Sequence, residues 1–247
     1  MAPGETPSAV IQELVGQLRR IEGFARKTAG EPLSEPEALS TGLEALDRML
    51  PAGGFVRGSL VEWLAEGEGA GAAMLAIVLA RPTLQAGGAL VVVDAEGEFY
   101  APAAAGLGVP LERTVVVRPS DSRDALWAFE QSLRCPGVAV SLYRAERLNG
   151  RQGRRLQLAS EIGGGLGLLV RPLSARREPS WADVRLLVRP MPVVSSSSGR
   201  RWRMELLRCR GGMSGGELEL ELNDETGFVR VASPMAAPAS VRHAAGA

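Results

Sequence analysis

The sequence predicts an α/β fold: a parallel core sheet flanked by helices, with an antiparallel strand extension toward the C-terminus. Three observations carry this. Strand-like and helix-like segments alternate five times between residues 59 and 170. A glycine-rich loop, Glu66–Gly71, joins the first of those strands to a helix. Beyond it, the last third gives up the alternation for strands separated by turn-rich stretches. Repeated strand–helix units bury both faces of a sheet, and an unbroken aliphatic run such as Ala89–Val93 suits a strand in that position.

The elements follow in order. Val10, Ile11, Leu14, Val15, Leu18 and Ile21 recur at helical spacing, so residues 8–27 read as an amphipathic helix with Ser8 as its N-cap. Gly30–Pro36 contains two prolines and behaves as a linker. Residues 1–38 thus form an N-terminal helix and linker, and the core domain spans 39–231. It starts with a helical turn (Thr41–Leu50), a Pro51–Gly54 turn and a strand (Ser59–Leu64). After the loop, a helix runs from Ala72 to about Gln85. The strand Ala89–Val93, a helical stretch at Tyr100–Leu107 and the strand Thr114–Val117 come next. A helix at Asp121–Arg134, capped by Ser120 or Asp121, precedes the strand Val138–Leu142. The helix Glu146–Ile162 is ended by Gly163–Gly165, and the strand Leu166–Val170 closes the alternation.

Val184–Val188, Trp202–Arg208, Leu218–Leu222 and Phe228–Val231 make the antiparallel extension. Leu218, Leu220 and Leu222 alternate with Glu217, Glu219 and Glu221, which predicts one buried and one wet face. Residues 232–247, rich in Ala, Pro and Ser, are expected to be a disordered tail.

Composition excludes several kinds of chemistry. With 45% apolar and 23% charged residues over 247 positions, the chain has material for one large core. Its longest apolar stretch, Ala70–Ala80, is about half a membrane span, and the acidic start is unlike a signal peptide. A cytoplasmic protein is expected, without contact to a membrane. His243 is the only histidine and falls in the tail, so a histidine-based nucleophile unit or metal site has no histidine to use. Lys27 is the only lysine. Cys135 and Cys209 do not make a disulfide scaffold or a thiolate metal site, and no metal or cofactor is expected. Cys135 and Cys209 read as small buried or strand-edge residues; Cys209 lies between Arg208 and Arg210, a setting that favours a thiolate, but no base or acid accompanies it. Trp63, Trp127, Trp181 and Trp202 read as core or near-core residues.

Net charge is zero but unevenly spread. From Arg134 to Arg210 the chain holds 16 arginines and five acids, a net of +11, while the remainder is −11. Such asymmetry predicts one face for a polyanion.

The order of motifs resembles one family. Leu39-Ser-Thr-Gly-Leu-Glu-Ala-Leu-Asp-Arg-Met-Leu50, Gly53-Gly54, Arg57-Gly58 and Ser59–Glu62 look like the approach to the nucleotide loop of the RecA recombinases. Val91–Glu96, Tyr100, Ala105–Val109, Val115–Pro119 and Ser180–Val188 continue the match, which covers residues 39–231. The resemblance implies a RecA-like core. It also locates a departure. A phosphate-binding loop has the form G-x-x-x-x-G-K-[ST], because amides wrap the phosphates, lysine reaches their oxygens and the hydroxyl holds Mg²⁺. Here Glu66-Gly67-Glu68-Gly69-Ala70-Gly71 is followed by Ala72 and Ala73 where lysine and hydroxyl belong. Glu66 and Glu68 would each repel a phosphate charge by roughly 3 kcal/mol at ~5 Å and an effective dielectric near 20. Ser141, read as the end of the Val138 strand, stands where the family has its Mg²⁺-positioning aspartate. Glu96 matches the water-activating glutamate but lacks those companions. No catalysis is expected.

In the same family, loops after the fourth and fifth core strands line the DNA channel. The matching positions, Tyr143–Gly153 and Arg171–Ser180, are short here. They and the adjoining helix carry Arg144, Arg147, Arg151, Arg154, Arg155, Arg171, Arg176 and Arg177, a set suited to phosphate contact and to stacking on bases. Weak, sequence-independent DNA binding is expected. The erased loop, together with Arg151–Glu161, Gly165–Pro172 and Arg200–Gly212, is similar specifically to the ImuA family, RecA-like accessories of damage-induced translesion synthesis. The resemblance implies two partners, an inactive Y-family polymerase homologue of the ImuB type and an error-prone C-family polymerase, and a nucleoid-associated role in SOS mutagenesis. It further implies a monomer or small oligomer without ATP-dependent filaments. Two other readings stand beside it: a residual ATP-binding recombination factor, and an SOS regulator, such as a cell-division inhibitor, that does not bind DNA.

Overall fold

The computed structural model describes residues 37–67, 69–192, 199–223 and 226–232. The helix expected over 8–27, the Gly30–Pro36 linker, Lys27, His243 and the tail beyond Ala232 lie outside them. Within them, the chain folds as a nine-stranded mixed sheet in the order β11 (Val229–Val231), β10 (Glu217–Asn223), β9 (Gly199–Cys209), β8 (Val184–Met191), β3 (Leu60–Ala65), β7 (Leu166–Pro172), β6 (Val138–Arg144), β4 (Ala89–Val93) and β5 (Thr114–Val117), with a two-stranded ribbon of β1 (Ala38–Leu39) and β2 (Phe55–Val56). The ribbon pairs Ala38–Leu39 with Phe55–Val56, antiparallel. Around it lie α1 (Glu44–Asp47) and the glycine turn before β2.

The parallel part is β5 (Thr114–Val117), β4 (Ala89–Val93), β6 (Val138–Arg144), β7 (Leu166–Pro172), β3 (Leu60–Ala65) and β8 (Val184–Met191). Two helical layers cover it. On one face α2 (Ala72–Leu79), α3 (Arg81–Ala86) and α4 (Ala101–Gly106) pack through Leu75, Leu79, Leu84 and Ala104. On the other, α5 (Ser122–Arg134) and α6 (Gly150–Gly163) pack through Phe129, Leu133 and Leu156. β9 (Gly199–Cys209), β10 (Glu217–Asn223) and β11 (Val229–Val231) add the antiparallel edge. The expected fold class is the one observed, and no helix of the described residues is long and apolar enough to cross a membrane.

Several expectations need correction. The helix expected from Ala72 to Gln85 is two: Pro82 cannot donate into the ladder, and the chain steps at Ala80 between α2 and α3. The helix expected from Glu146 starts at Gly150, because Asn149 forms a capping box with Gln152. Asp121 is the cap of α5, accepting from the Asp124 amide. The strand at Val184 pairs parallel with β3 and belongs to the core rather than to the antiparallel extension. Finally, the glutamate face of β10 is not simply wet. Glu221 is buried and pairs with Arg230 at 3.3 Å, while Glu219 meets Arg201 and Arg203 at 3.3 and 3.1 Å. Cross-strand register sets Arg203 opposite Glu219 and Arg201 opposite Glu221, so the face is an ion-pair ladder.

Candidate functional site

β3 ends at Ala65 and α2 begins at Ala72; the loop between them turns at Gly67, Gly69 and Gly71, all with positive φ. α2 (Ala-Ala-Met-Leu-Ala-Ile-Val-Leu) is apolar on nearly every side, as suits a helix enclosed in the core. Ala72 is buried at its first turn. Gly71, at φ 78°, caps it without a side chain. Against this loop lies Trp202 of β9, only 3% exposed. Its indole N–H donates to the Ala70 carbonyl at 2.8 Å. A Cβ built on Gly71 would stand 2.7 Å from Trp202 Nε1. A tryptophan 132 positions away therefore holds the turn. Nothing in the sequence beyond strand alternation signals that role.

The loop forms one wall of a cleft of about 1740 Å³ across the C-terminal ends of β3, β4, β6 and β7. Gly67, Gly69, Gly71, Ala72 and Ala73 line it, and so do Arg144, Arg147 and Arg171. The fold thus gathers part of the predicted loop set and part of the predicted basic set into one depression. Glu66 is drawn elsewhere: its amide continues the pairing to Val188 O at 3.1 Å and its carboxylate meets Arg189 at 3.3 Å. The repulsion expected of Glu66 is accordingly partly neutralised, and Glu68 lies outside the described residues.

Ser141 is misplaced by the sequence reading. β6 does not end there but continues to Arg144, and Ser141 is level with Gly167 of β7 and Val91 of β4, well below the strand ends. Val140 and Leu142 face the α2 layer, so alternation turns Ser141, 1% exposed, to the opposite face with Tyr143. The β6 residues lining the cleft are Leu142 and Arg144. Arg144 meets Glu98 at 3.3 Å and Glu96 at 3.9 Å, so a cation from the end of β6 stands beside both acids at the cleft. No group of three acidic, histidine or cysteine side chains able to hold a metal occurs among the described residues. With alanines at the lysine and hydroxyl positions and arginine at the strand end, these residues do not fit a Mg²⁺-triphosphate.

The predicted basic set divides. Arg171 stands apart from the exposed set: it lies on β7, 2% exposed, with its charge taken up by acids. It meets Glu62 at 3.2 Å and Glu178 at 2.7 Å. Arg185 joins the same Glu62 at 2.7 Å and donates to the carbonyls of Arg176 and Glu178. This buried cluster pins the 3-10 turn Leu173–Arg177 down on the sheet, which explains why the segment is a compact turn rather than an open loop. Arg176 meets Glu205 at 3.4 Å, and Arg155 is paired with Glu130. Arg147, Arg151, Arg154 and Arg177 are exposed and have no ion-pair partner among the described residues.

Cys209 ends β9, half-buried, and its arginine neighbours do not activate it: burial pushes its thiol pKa up, and the nearby Asp183 carboxylate adds to that. Asp183 itself is raised by burial, against the Leu60 amide and Arg210, which favour its charge. Of the tryptophans, Trp63 and Trp202 are core, whereas Trp127 and Trp181 are 37% and 42% exposed.

Comparison with known proteins agrees with this geometry. The family model of the RecA N-terminal domain matches residues 23–143. Over 197 residues the chain is 35% identical to Protein ImuA of Caulobacter vibrioides, covering 72% of this chain and 81% of that one. It is 29% identical over 138 residues to Protein RecA of Bacteroides thetaiotaomicron, covering 54% of this chain and 42% of that protein. Among solved structures, the crystal structure of the RadB recombinase superposes with a TM-score of 0.61 at 17% identity, over 79% of this chain and 100% of that one, a likeness of fold.

Proposed function

Because the chain belongs to the ImuA family of RecA-like proteins, we propose that it is a non-catalytic accessory of damage-induced translesion DNA synthesis, binding a polymerase-like partner and, weakly, DNA. One observation carries the reading: the nucleotide loop is built to stand without nucleotide. Trp202 fills the space against Gly71 and takes the Ala70 carbonyl, and Ala72 and Ala73 replace the groups that would grip phosphate and Mg²⁺. RecA-type filaments place ATP between subunits, so a chain with such a loop keeps the surface for protein contact without ATP-driven remodelling. The partners in this reading are an inactive Y-family polymerase homologue and an error-prone C-family polymerase, and the unpaired arginines supply DNA contact.

Light scattering at rising protein concentration, with ATP, Mg²⁺ and single-stranded DNA, tests the non-catalytic part. The expected result is a monomer or small oligomer whose size ignores ATP. ATP-dependent filaments, or phosphate release lost on Glu96→Gln, overturn it. Co-purification with the polymerase homologue encoded in the same genome tests the adaptor part, and absence of a complex at micromolar concentrations overturns that.

A further inference from the structure

Trp181 is the feature that the cleft and the RecA-like core leave unexplained. It lies in the connection between the Leu173–Arg177 turn and β8, with 42% of its surface exposed. Large aromatic side chains normally bury their area unless a partner supplies it. The indole rests on the first turns of α6, where glycines keep it close: a Cβ on Gly153 would stand 3.1 Å from Trp181 Cδ1, and one on Gly150 3.9 Å from Nε1. The Arg154 guanidinium lies 5.0 Å above the ring. Arg208, on β9, donates to the carbonyl of Ser180, the residue before Trp181, at 2.7 Å. Arg151 projects from the first turn of α6. None of these three arginines has an acidic partner among the described residues, in contrast to most of the basic segment.

An exposed ring beside guanidinium groups without acidic partners, Arg154 being hydrogen-bonded only to the neutral Gln157 side chain among the described residues, has the chemistry of single-strand recognition, in which unstacked bases lie on aromatic faces and cations follow the backbone. A duplex offers no free base face and gains only the phosphate contacts. We propose that Trp181 is a base-stacking platform for single-stranded nucleic acid, with Arg151, Arg154 and Arg208 holding the flanking phosphates. A base arriving on the ring displaces the Arg154 guanidinium, which turns to a phosphate. The proposal rests on the DNA-binding part of the function proposed above and assigns it a residue outside the predicted arginine set.

The test is fluorescence anisotropy of labelled oligo(dT) and of a duplex at low salt, using the full chain and Trp181→Ala, Trp181→Phe and Trp127→Ala. Trp181→Ala should weaken oligo(dT) binding about tenfold and leave duplex binding unchanged, as loss of one stacked base predicts. Trp181→Phe should restore most of the affinity, and Trp127→Ala, at an exposed tryptophan of α5, should change nothing. If the unaltered chain binds no oligo(dT), the DNA reading falls and takes this proposal with it. If it binds and Trp181→Ala matches it, the platform alone is overturned. Should Trp181→Ala fail to fold by circular dichroism, tryptophan emission decides: oligo(dT) must quench it in the unaltered chain and much less in Trp181→Phe, and equal quenching overturns the proposal.

Discussion

At the scale of single residues, the loop between β3 and α2 turns on how closely Trp202 packs against Gly71. Gly71 sits at φ 78°, a conformation other residues adopt at a cost of about 1–3 kcal/mol, and the Trp202 indole closes the space that a side chain would need. Gly67 also has positive φ, at 92°, but a Cβ there would meet nothing within 4 Å. Gly71→Ala should therefore lower unfolding stability by the backbone strain plus an overpacking cost of about 1–3 kcal/mol, whereas Gly67→Ala should show only the strain. Urea unfolding of both variants reads the difference. Repeating Gly71→Ala in a Trp202→Leu background isolates the contact, because the added cost should shrink once the indole is gone. Equal costs at the two glycines would mean that Trp202 does not brace the loop.

At the scale of elements, the buried cluster of Glu62, Arg171 and Arg185 links three strands and anchors the turn after β7. Removing one partner from such a cluster leaves buried charge unpaired, typically at about 3–5 kcal/mol. Glu62→Gln should thus lower the thermal midpoint by about 10 °C, taking about 2–4 °C per kcal/mol for a chain of this size. Scanning calorimetry checks this, and a change of a degree or less would show the cluster to be dispensable. The same cluster marks the limit of what the sequence disclosed. Ala89–Val93 and Thr114–Val117 were legible to the residue because runs of aliphatic side chains depend only on local pattern. The glycine-rich turn into α2 was legible because Gly67, Gly69 and Gly71 mark positions of positive φ. Arg171 was not, since an arginine at a strand end looks alike whether it faces solvent or a glutamate 109 positions away. Ser141 failed for a related reason: where a strand stops depends on its neighbours, and β6 runs on beside β7 to Arg144.

For the whole molecule, the question is how much of the +11 excess between Arg134 and Arg210 remains available to a polyanion. Folding answers most of it internally. Acids from outside the segment close on its arginines: Glu62 on Arg171 and Arg185, Glu66 on Arg189, Glu130 on Arg134 and Arg155, Glu98 on Arg144, and Glu219 on Arg201 and Arg203. The linear asymmetry is thus largely the imprint of cross-strand and interhelix pairing rather than of a uniformly cationic face. Arg147, Arg151, Arg154, Arg177 and Arg208 are the exposed arginines of the segment without an acidic partner among the described residues. Each phosphate neutralised on a single strand contributes about −0.7 to the slope of log K against log[salt]. Engagement of those five predicts a slope near −3.5, whereas a face carrying the full excess predicts about −8. Titrating oligo(dT) binding across a range of KCl concentrations measures the slope directly. Arg151→Gln and Arg177→Gln should each flatten it by about 0.7, and Arg203→Gln, whose charge is spent on Glu219, should leave it unchanged. A slope steeper than about −6 would mean that the ion-pair ladders open on DNA and hand their arginines to phosphate, and the charge distribution of the free fold would then no longer describe the bound one.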